Sequence, residues 1–304
     1  MSANAPRSID QYLKQLRRAL EGEDPALIQD ALYDAEEYLR AEVAAHADKS
    51  EADVLELIAS TYGAPEEVAA AYRDTEAKVK AALKTPVRPA SAGSTRGLVR
   101  FFGVFLDPRA YTSLFYMLLS LATGVIYFTV VVTGVSLSVG LAVLIIGVPF
   151  FLVFIGIARV ISLGEGQLLE AMTGERMPRR PVHPGPPASW WTRIGEMLTD
   201  VRTWTTLLYL LLMLPLGIIY FTIAVTGLAL GLRGALAPLL YIGHDVAPGM
   251  LHIDGWHGEP HSFVGALFCM VLGVVLLTLL LHAARAIARG HARLAKALLV
   301  EPGA

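Results

Sequence analysis

The sequence is poor in charged residues and has a single cysteine. Only 17% of its 304 residues are Asp, Glu, Lys or Arg, against about 25% in a typical soluble protein. In contrast, 54% are hydrophobic and the mean hydropathy is +0.52. This composition argues against one water-soluble domain and favours a membrane protein. Because Cys269 is the only cysteine and lies in an apolar run, a disulfide framework and a cysteine-ligated metal centre are excluded.

Signatures of catalysis and ion transport are also missing. The sequence has no glycine-rich phosphate loop, no Gly-x-Ser-x-Gly elbow and no His-Glu-x-x-His motif. No charged residue falls in the central part of a predicted span, whereas ion pumps and proton relays normally need such groups. We therefore expect a protein that is not an enzyme. The first thirty residues lack an apolar core, which argues against a cleaved signal peptide.

Charge is distributed unevenly along the chain. Residues 1–84, which we call the head, contain 10 Lys or Arg against 17 Asp or Glu, whereas residues 85–304 contain 15 against 10 and most of the apolar runs. Helix-start signals at Ser8, Asp24, Ser50 and Pro65 predict a bundle of four short helices in the head. Its acidity would repel phosphates, so nucleic acid is not an expected partner. The acidic residues form either a solvated face or a docking surface for a cytosolic partner.

A motif in the head supports a family resemblance. Tyr12-Leu13 is followed at helical spacing by Leu16 and Leu20, and Tyr62-Gly63-Ala64-Pro65-Glu66-Glu67-Val68-Ala69 follows the acidic middle helix. On these residues the head resembles the HAAS domain, a small helical module at the N-terminus of many bacterial membrane proteins. The resemblance implies a role in signalling, in transport systems or beside transcriptional regulators. The family usually has leucine where this chain has Tyr62.

Four apolar stretches are long enough to cross about 30 Å of hydrocarbon as helices. Among the Lys and Arg residues after the head, only Arg233 falls in a predicted outer loop. The positive-inside rule therefore places both termini on the cytosolic side of a bacterial inner membrane. Residues 85–99 and the proline-rich residues 176–191 are predicted linkers. The predicted spans are residues 112–134, 139–161, 205–228 and 262–284.

The membrane part repeats itself. A shift of 93 residues aligns Asp107 with Asp200 and Tyr116 with Tyr209, and 17 of the 31 positions from 107 to 137 are identical. After these positions, a shift of 126 residues aligns the second halves of the two repeats, because the second outer loop carries an insertion. Each repeat holds two spans and an amphipathic cytosolic helix, so we expect parallel repeats related by an axis along the membrane normal. The two cytosolic helices are predicted at residues 158–172 and 284–300.

The repeated core, Gly-x-x-Tyr-Phe-Thr-x-x-x-Thr-Gly, resembles the sensor domain attached to many bacterial histidine kinases. No kinase segment follows it here, so the resemblance implies that output passes through the head, the cytosolic helices or a separate partner. The predicted fold is all-α, with a small cytosolic bundle and a four-helix transmembrane domain built from two parallel two-span repeats. The predicted divisions are a HAAS-like domain at 1–84, a linker at 85–99, membrane repeat 1 at 100–175, a linker at 176–191, and membrane repeat 2 at 192–304 with its outer-loop insertion at 231–262.

Hydroxyl side chains recur at equivalent positions inside the spans. Threonines in membrane helices most often bond their own backbone, and tyrosines near the end of a span commonly anchor it at the interface. These residues are therefore either structural, or they line a cavity between the repeats that takes up a ligand or signal. The candidates are Tyr127, Thr129, Thr133, Tyr220, Thr222 and Thr226.

The outer-loop insertion is rich in histidine and aspartate. Imidazole and carboxylate groups together suit Zn²⁺, but glycines and a proline disfavour a helix there, and the spacing matches no specific metal motif. The alternatives are a solvated loop and a pH-responsive cap. Apart from this zinc site, no cofactor is expected. The candidate metal ligands are His244, Asp245, His252, Asp254, His257 and His261.

These features predict a non-enzymatic bacterial membrane sensor or adaptor that passes a membrane or outer-face signal to a cytosolic partner through the head. The expected partners are the lipid bilayer and an unidentified cytosolic kinase, regulator or ATPase, and a homo-oligomer is a further candidate. Two alternatives stay open. One is a membrane subunit of an ABC-type transporter, whose coupling helix would be residues 162–173, and the other is a metal-dependent enzyme at the outer face.

Overall fold

The computed structural model of the protein describes residues 6–83, 96–144, 146–180, 195, 198–246 and 262–300. Within these ranges the regular structure is helical and includes no strand. The predicted all-α fold is therefore confirmed.

The head folds into four helices, three of which are capped by the predicted start signals. The side chains of Ser8, Asp24 and Ser50 each accept a hydrogen bond from a backbone N–H two or three residues ahead. Each bond satisfies a donor that the helix itself leaves unpaired. The helices are α1 (Ile9–Ala19), α2 (Pro25–Ala45), α3 (Glu51–Thr61) and α4 (Pro65–Leu83).

Apolar side chains from all four helices form the core of the head. The hydroxyl of Tyr12 in this core donates a hydrogen bond to the carbonyl of Gly63 at 2.9 Å. Gly63 has a φ of 104°, a backbone conformation that glycine adopts without steric cost. The Tyr-Gly-Ala-Pro motif therefore makes the turn between α3 and α4, while the resemblance to the HAAS domain stays a prediction.

Beyond the head, the described residues contain four long helices that are apolar enough to cross a membrane. The segments predicted as separate cytosolic helices, 158–172 and 284–300, are helical, and each continues the long helix before it without a break. The helices are α5 (Arg96–Phe102), α6 (Pro108–Leu141), α7 (Gly147–Thr173), α8 (Val201–Ala235), α9 (Ala237–Val246) and α10 (Phe263–Leu299).

Helices α6 and α7 form one hairpin, α8 and α10 form a second, and the hairpins meet at a pair of glycines. A Cβ atom on Gly124 would stand 2.6 Å from the carbonyl oxygen of Met213, and one on Gly217 would stand 2.3 Å from that of Ser120. Only glycine permits so close an approach between two helix backbones.

The contacts between the two hairpins are reciprocal. Gly124 faces the residues before Gly217, and Gly217 faces the residues before Gly124. That the repeats are parallel stays a prediction. Two ion pairs repeat this reciprocal pattern, because an aspartate just before the first helix of each hairpin lies beside an arginine of the other hairpin. Asp107 pairs with Arg285 at 2.9 Å, and Asp200 pairs with Arg159 at 3.3 Å.

Gly124→Ala should lower the free energy of unfolding by about 1–3 kcal/mol, because the added methyl group meets backbone atoms that cannot rotate away. Gly156→Ala is the matched control, since a Cβ atom there meets nothing within 4 Å. We expect the control to be neutral or stabilised by up to about 1 kcal/mol through helix propensity. Equilibrium unfolding in mixed detergent micelles measures both values. Equal effects of the two substitutions would contradict the close approach of α6 and α8.

Candidate functional site

A buried carboxylate and a buried imidazole lie where the four long helices meet. Glu165 on α7 and His291 on α10 are each only 1% exposed. The shift of 126 residues that relates the two repeats also relates these two positions. Each is followed by a small buried residue, Gly166 or Ala292, which leaves room for neighbouring helices to come close.

Tyrosine hydroxyls from two helices surround the carboxylate of Glu165. Tyr116 donates to its Oε1 at 2.7 Å and Tyr127 donates to its Oε2 at 2.8 Å, both from α6. Tyr209 on α8 lies 3.4 Å from Oε1. Hydrogen bonds of this kind offset the large cost of burying a carboxylate.

The imidazole of His291 has matching partners. Its Nε2 lies 3.0 Å from the hydroxyl of Tyr209, and its Nδ1 lies 3.3 Å from the hydroxyl of Tyr220. The ring centroids of Tyr116, Tyr209 and Tyr220 lie 5.4 to 5.8 Å from that of the imidazole. We call the whole cluster the polar centre. It comprises Glu165, His291, Tyr116, Tyr127, Tyr209 and Tyr220.

The polar centre can do two things chemically. Its carboxyl and imidazole groups can bind and release protons, and its hydrogen bonds fix how the four helices are rotated against one another. Among the residues that the structure describes, no group of three or more His, Cys, Asp or Glu side chains is placed to hold a metal ion.

The structure brings two of the six predicted signal residues into this cluster. Tyr127 and Tyr220 point inward, whereas all four threonines are exposed on the outside of the bundle. The hydroxyls of Thr129 and Thr222 donate to carbonyl groups four residues earlier in their own helices, each at 2.7 Å. The other two exposed threonines are Thr133 and Thr226.

Sequence reasoning missed Glu165, His291, Tyr116 and Tyr209 as functional candidates. Glu165 falls beyond the predicted second span and was expected on a cytosolic helix. A usable signal was present, because the two repeat shifts pair Tyr116 with Tyr209 and Glu165 with His291. A titratable residue at equivalent positions of both repeats is more informative than either residue alone.

The predicted metal ligands cannot be placed in the same way. His252, Asp254, His257 and His261 lie outside the described residues. His244 and Asp245 belong to the backbone of α9, and their side chains are also outside the description. The zinc site stays a prediction.

A second polar cluster joins the head to the membrane part. We call residues 174–180, which directly follow α7, the strap. The carboxylate of Asp30 on α2 accepts hydrogen bonds from the backbone N–H groups of Arg179 and Arg180 at 2.9 and 3.0 Å, and it pairs with the side chain of Arg176 at 3.0 Å. Asp30 is 5% exposed. Burial raises the pKa of Asp30 above its ordinary value, although the strap N–H groups and Arg176 oppose that rise.

Further bonds extend this contact, which we call the latch. Arg176 also pairs with Glu76 on α4, and Arg180 pairs with Asp34 at 2.9 Å while its guanidinium lies over the ring of Tyr33. Part of the acidic face of the head is therefore docked on the chain itself. Contacts of the head with α8 and α10 complete the latch, through Gln29 with Arg202 (3.1 Å) and Asp24 with Lys296 (2.5 Å).

The strap is also held against α7. The backbone N–H of Met177 donates to Glu170 at 3.2 Å, and Arg179 pairs with Glu170 at 2.5 Å. The Met177 side chain is buried beside Gly166, one position after Glu165. The latch and the polar centre are thus neighbours along one helix.

A family model described as "Putative sensor" matches residues 116–299 in one continuous segment. The match covers more than half of the chain. The chain belongs to this sensor family. The matched segment contains all six residues of the polar centre and the whole strap, whereas the head lies outside it. The chain matches no curated protein and no solved structure.

Tyr116→Phe and Tyr127→Phe should each lower the free energy of unfolding of this sensor-family protein by about 1–3 kcal/mol, because a buried carboxylate oxygen loses a hydrogen bond. Tyr111→Phe is the control, since its hydroxyl bonds the Phe105 carbonyl on the exposed surface. We expect the control to change stability by less than about 0.5 kcal/mol. Equilibrium unfolding in micelles compares the three variants. Similar losses in all of them would show that the polar centre does not hold the bundle together.

Proposed function

We propose that this protein is a non-enzymatic sensor of the bacterial inner membrane, and that its HAAS-like head passes a membrane or outer-face signal to a cytosolic partner. Membership of the sensor family and the four long apolar helices support the membrane sensor. The head, with its own core and its own capped helices, is the part that we assign to output. Both termini are cytosolic in this proposal.

The observation that carries the proposal is the latch. One helix, α7, holds Glu165 in the polar centre and continues directly into the strap, on which the head is docked. A change in how the four helices pack therefore has a short physical route to the head. Coupling of this kind needs an element with two discrete arrangements, and in this proposal they are the docked latch and a state in which the head is undocked.

The latch is suited to such a switch because its parts are polar. Docking removes water from Asp30, Glu76 and Arg176. The attraction between these charges offsets the cost of desolvation only when their ion pairs and hydrogen bonds are well formed. In the undocked state the same groups regain water. The two states therefore differ by a small free energy, which a modest repacking of α7 can overcome. Undocking would also free the acidic face of α2 for a partner protein.

The transporter alternative gains less support. Its coupling helix would be residues 162–173, which form the last turns of α7. Glu165 and Leu169 in those turns are buried in the bundle, whereas a coupling helix needs a surface for a separate ATPase. A kinase, a regulator or an ATPase bound at the head is compatible with the proposal.

Asp30→Asn should undock the head. The substitution keeps the size of the side chain but removes the charge that holds Arg176 and two backbone N–H groups, so the docked-to-undocked ratio should fall by about tenfold or more. Spin labels at Glu37 and Arg293, which are both exposed, report the distance between the head and α10 after Cys269→Ser removes the native thiol. The expected result is a broad, longer distance distribution in place of a narrow one.

Asp74→Asn is the matched control, because Asp74 pairs only locally with Lys78 on the surface of α4 and the charge change is the same. The output step is tested on protein purified from native membranes in mild detergent, by quantitative mass spectrometry of what accompanies it. A cytosolic kinase, regulator or ATPase enriched with the Asp30→Asn variant over the wild type and the control supports release of the head as the signal. Equal recovery with all three proteins contradicts it.

A further inference from the structure

We propose that the polar centre is a proton-binding site, in which Glu165 and His291 share one proton through the hydroxyl of Tyr209. The ligand is the proton itself, and the site lies in the middle of the four-helix bundle. None of its six residues belongs to the latch, so proton binding can be tested without reference to head docking. That a proton is the signal sensed by the protein rests on the proposed function.

The bridging position of Tyr209 is the first argument. Its hydroxyl lies 3.0 Å from Nε2 of His291 and 3.4 Å from Oε1 of Glu165. A hydroxyl has one hydrogen to donate, so it donates to one of these groups and must accept from the other. The direction of the bridge therefore depends on which of the two groups carries a proton.

Two arrangements satisfy the bridge, and both contain one shared proton. In the first, protonated Oε1 of Glu165 donates to Tyr209, Tyr209 donates to Nε2 of neutral His291, and Nδ1–H donates to Tyr220. In the second, Tyr209 donates to the Glu165 carboxylate, and the His291 imidazolium donates to Tyr209 through Nε2 and to Tyr220 through Nδ1. They interconvert when the Glu165 proton passes to the Tyr209 oxygen and the Tyr209 hydrogen passes to Nε2. No atom or charge is gained or lost.

The surroundings favour one proton over none or two. The groups that face the pair are the hydroxyls of Tyr116 and Tyr127 from α6 and of Tyr209 and Tyr220 from α8, all neutral donors or acceptors. With one proton the centre has no net charge. With none it is negative and with two it is positive, and either charge is costly in a buried site.

Charged residues elsewhere in the bundle do not neutralise the net charge that the polar centre would carry with no proton or with two. Arg159 pairs with Asp200, and Arg285 pairs with Asp107, so each arginine is neutralised by its own partner.

The equivalence of the two positions in the repeats adds a further argument. Two glutamates or two histidines at these equivalent positions would repel when both are charged, whereas one Glu and one His form a neutral pair with a single proton.

The test is a pH titration of the intact protein in lipid nanodiscs, followed by infrared difference spectroscopy of the carboxyl and imidazole bands between about pH 4 and 10. Coupled groups titrate as a pair. We therefore expect one step that is lost or moved by more than about one pH unit, a tenfold change in proton affinity, in Glu165→Gln and in His291→Gln. Tyr209→Phe keeps both groups but removes the bridge, and it should move the step by a similar amount.

Tyr111→Phe is the control and should leave the step unchanged. The exchange variant E165H/H291E keeps one carboxyl and one imidazole in the centre and should retain a single coupled step, which covers the case in which a single substitution fails to fold. The proposal is overturned if the wild type has no step assignable to Glu165 or His291. It is also overturned if Tyr209→Phe leaves the midpoint where it is. Head docking is not measured, so this result and the test of the latch fail independently.

Discussion

The structure of the membrane part depends on the burial of one carboxylate and one imidazole at the meeting point of four helices. A buried polar group is tolerated only when its hydrogen bonds are made. Here the partners of Glu165 and His291 come from α6 and α8, so all four long helices must be rotated correctly at once. The contact of Gly124 and Gly217 with opposing backbones brings the helices close enough for those bonds. Apolar packing alone would leave the rotation of each helix less tightly specified.

The same helix that carries the carboxylate also carries the connection to the head. Met177 of the strap packs beside Gly166, and the next residues of the strap supply the N–H groups and guanidinium that Asp30 binds. A loss or gain of charge in the polar centre changes the hydrogen bonds that Glu165 on α7 makes with the other helices. The strap is held against the same helix through Glu170. Helix α7 therefore connects the polar centre directly to the latch.

Local sequence signals predicted the parts of the structure that depend on local physics. Apolar length gave the four long helices, and Ser8, Asp24 and Ser50 marked the helix starts, because capping needs only a side chain and the next few residues. Glu165 was misjudged because hydropathy ends a span where α7 continues, and its partners lie 38 to 49 residues away. Asp30 and Arg176 are 146 residues apart, so charge asymmetry indicated an acidic surface without indicating that the chain itself covers it. The close contact between α6 and α8 likewise depends on residues that are far apart in the sequence.

The most direct test of the account is whether the polar centre controls the latch. The distance between spin labels at Glu37 and Arg293 should be measured in the Glu165→Gln variant, in which the latch residues are untouched. The account predicts a change in the fraction of docked head relative to the wild type, because the bonds that set the packing of α7 have changed. A distance distribution identical to that of the wild type, in a variant that is folded, would contradict it.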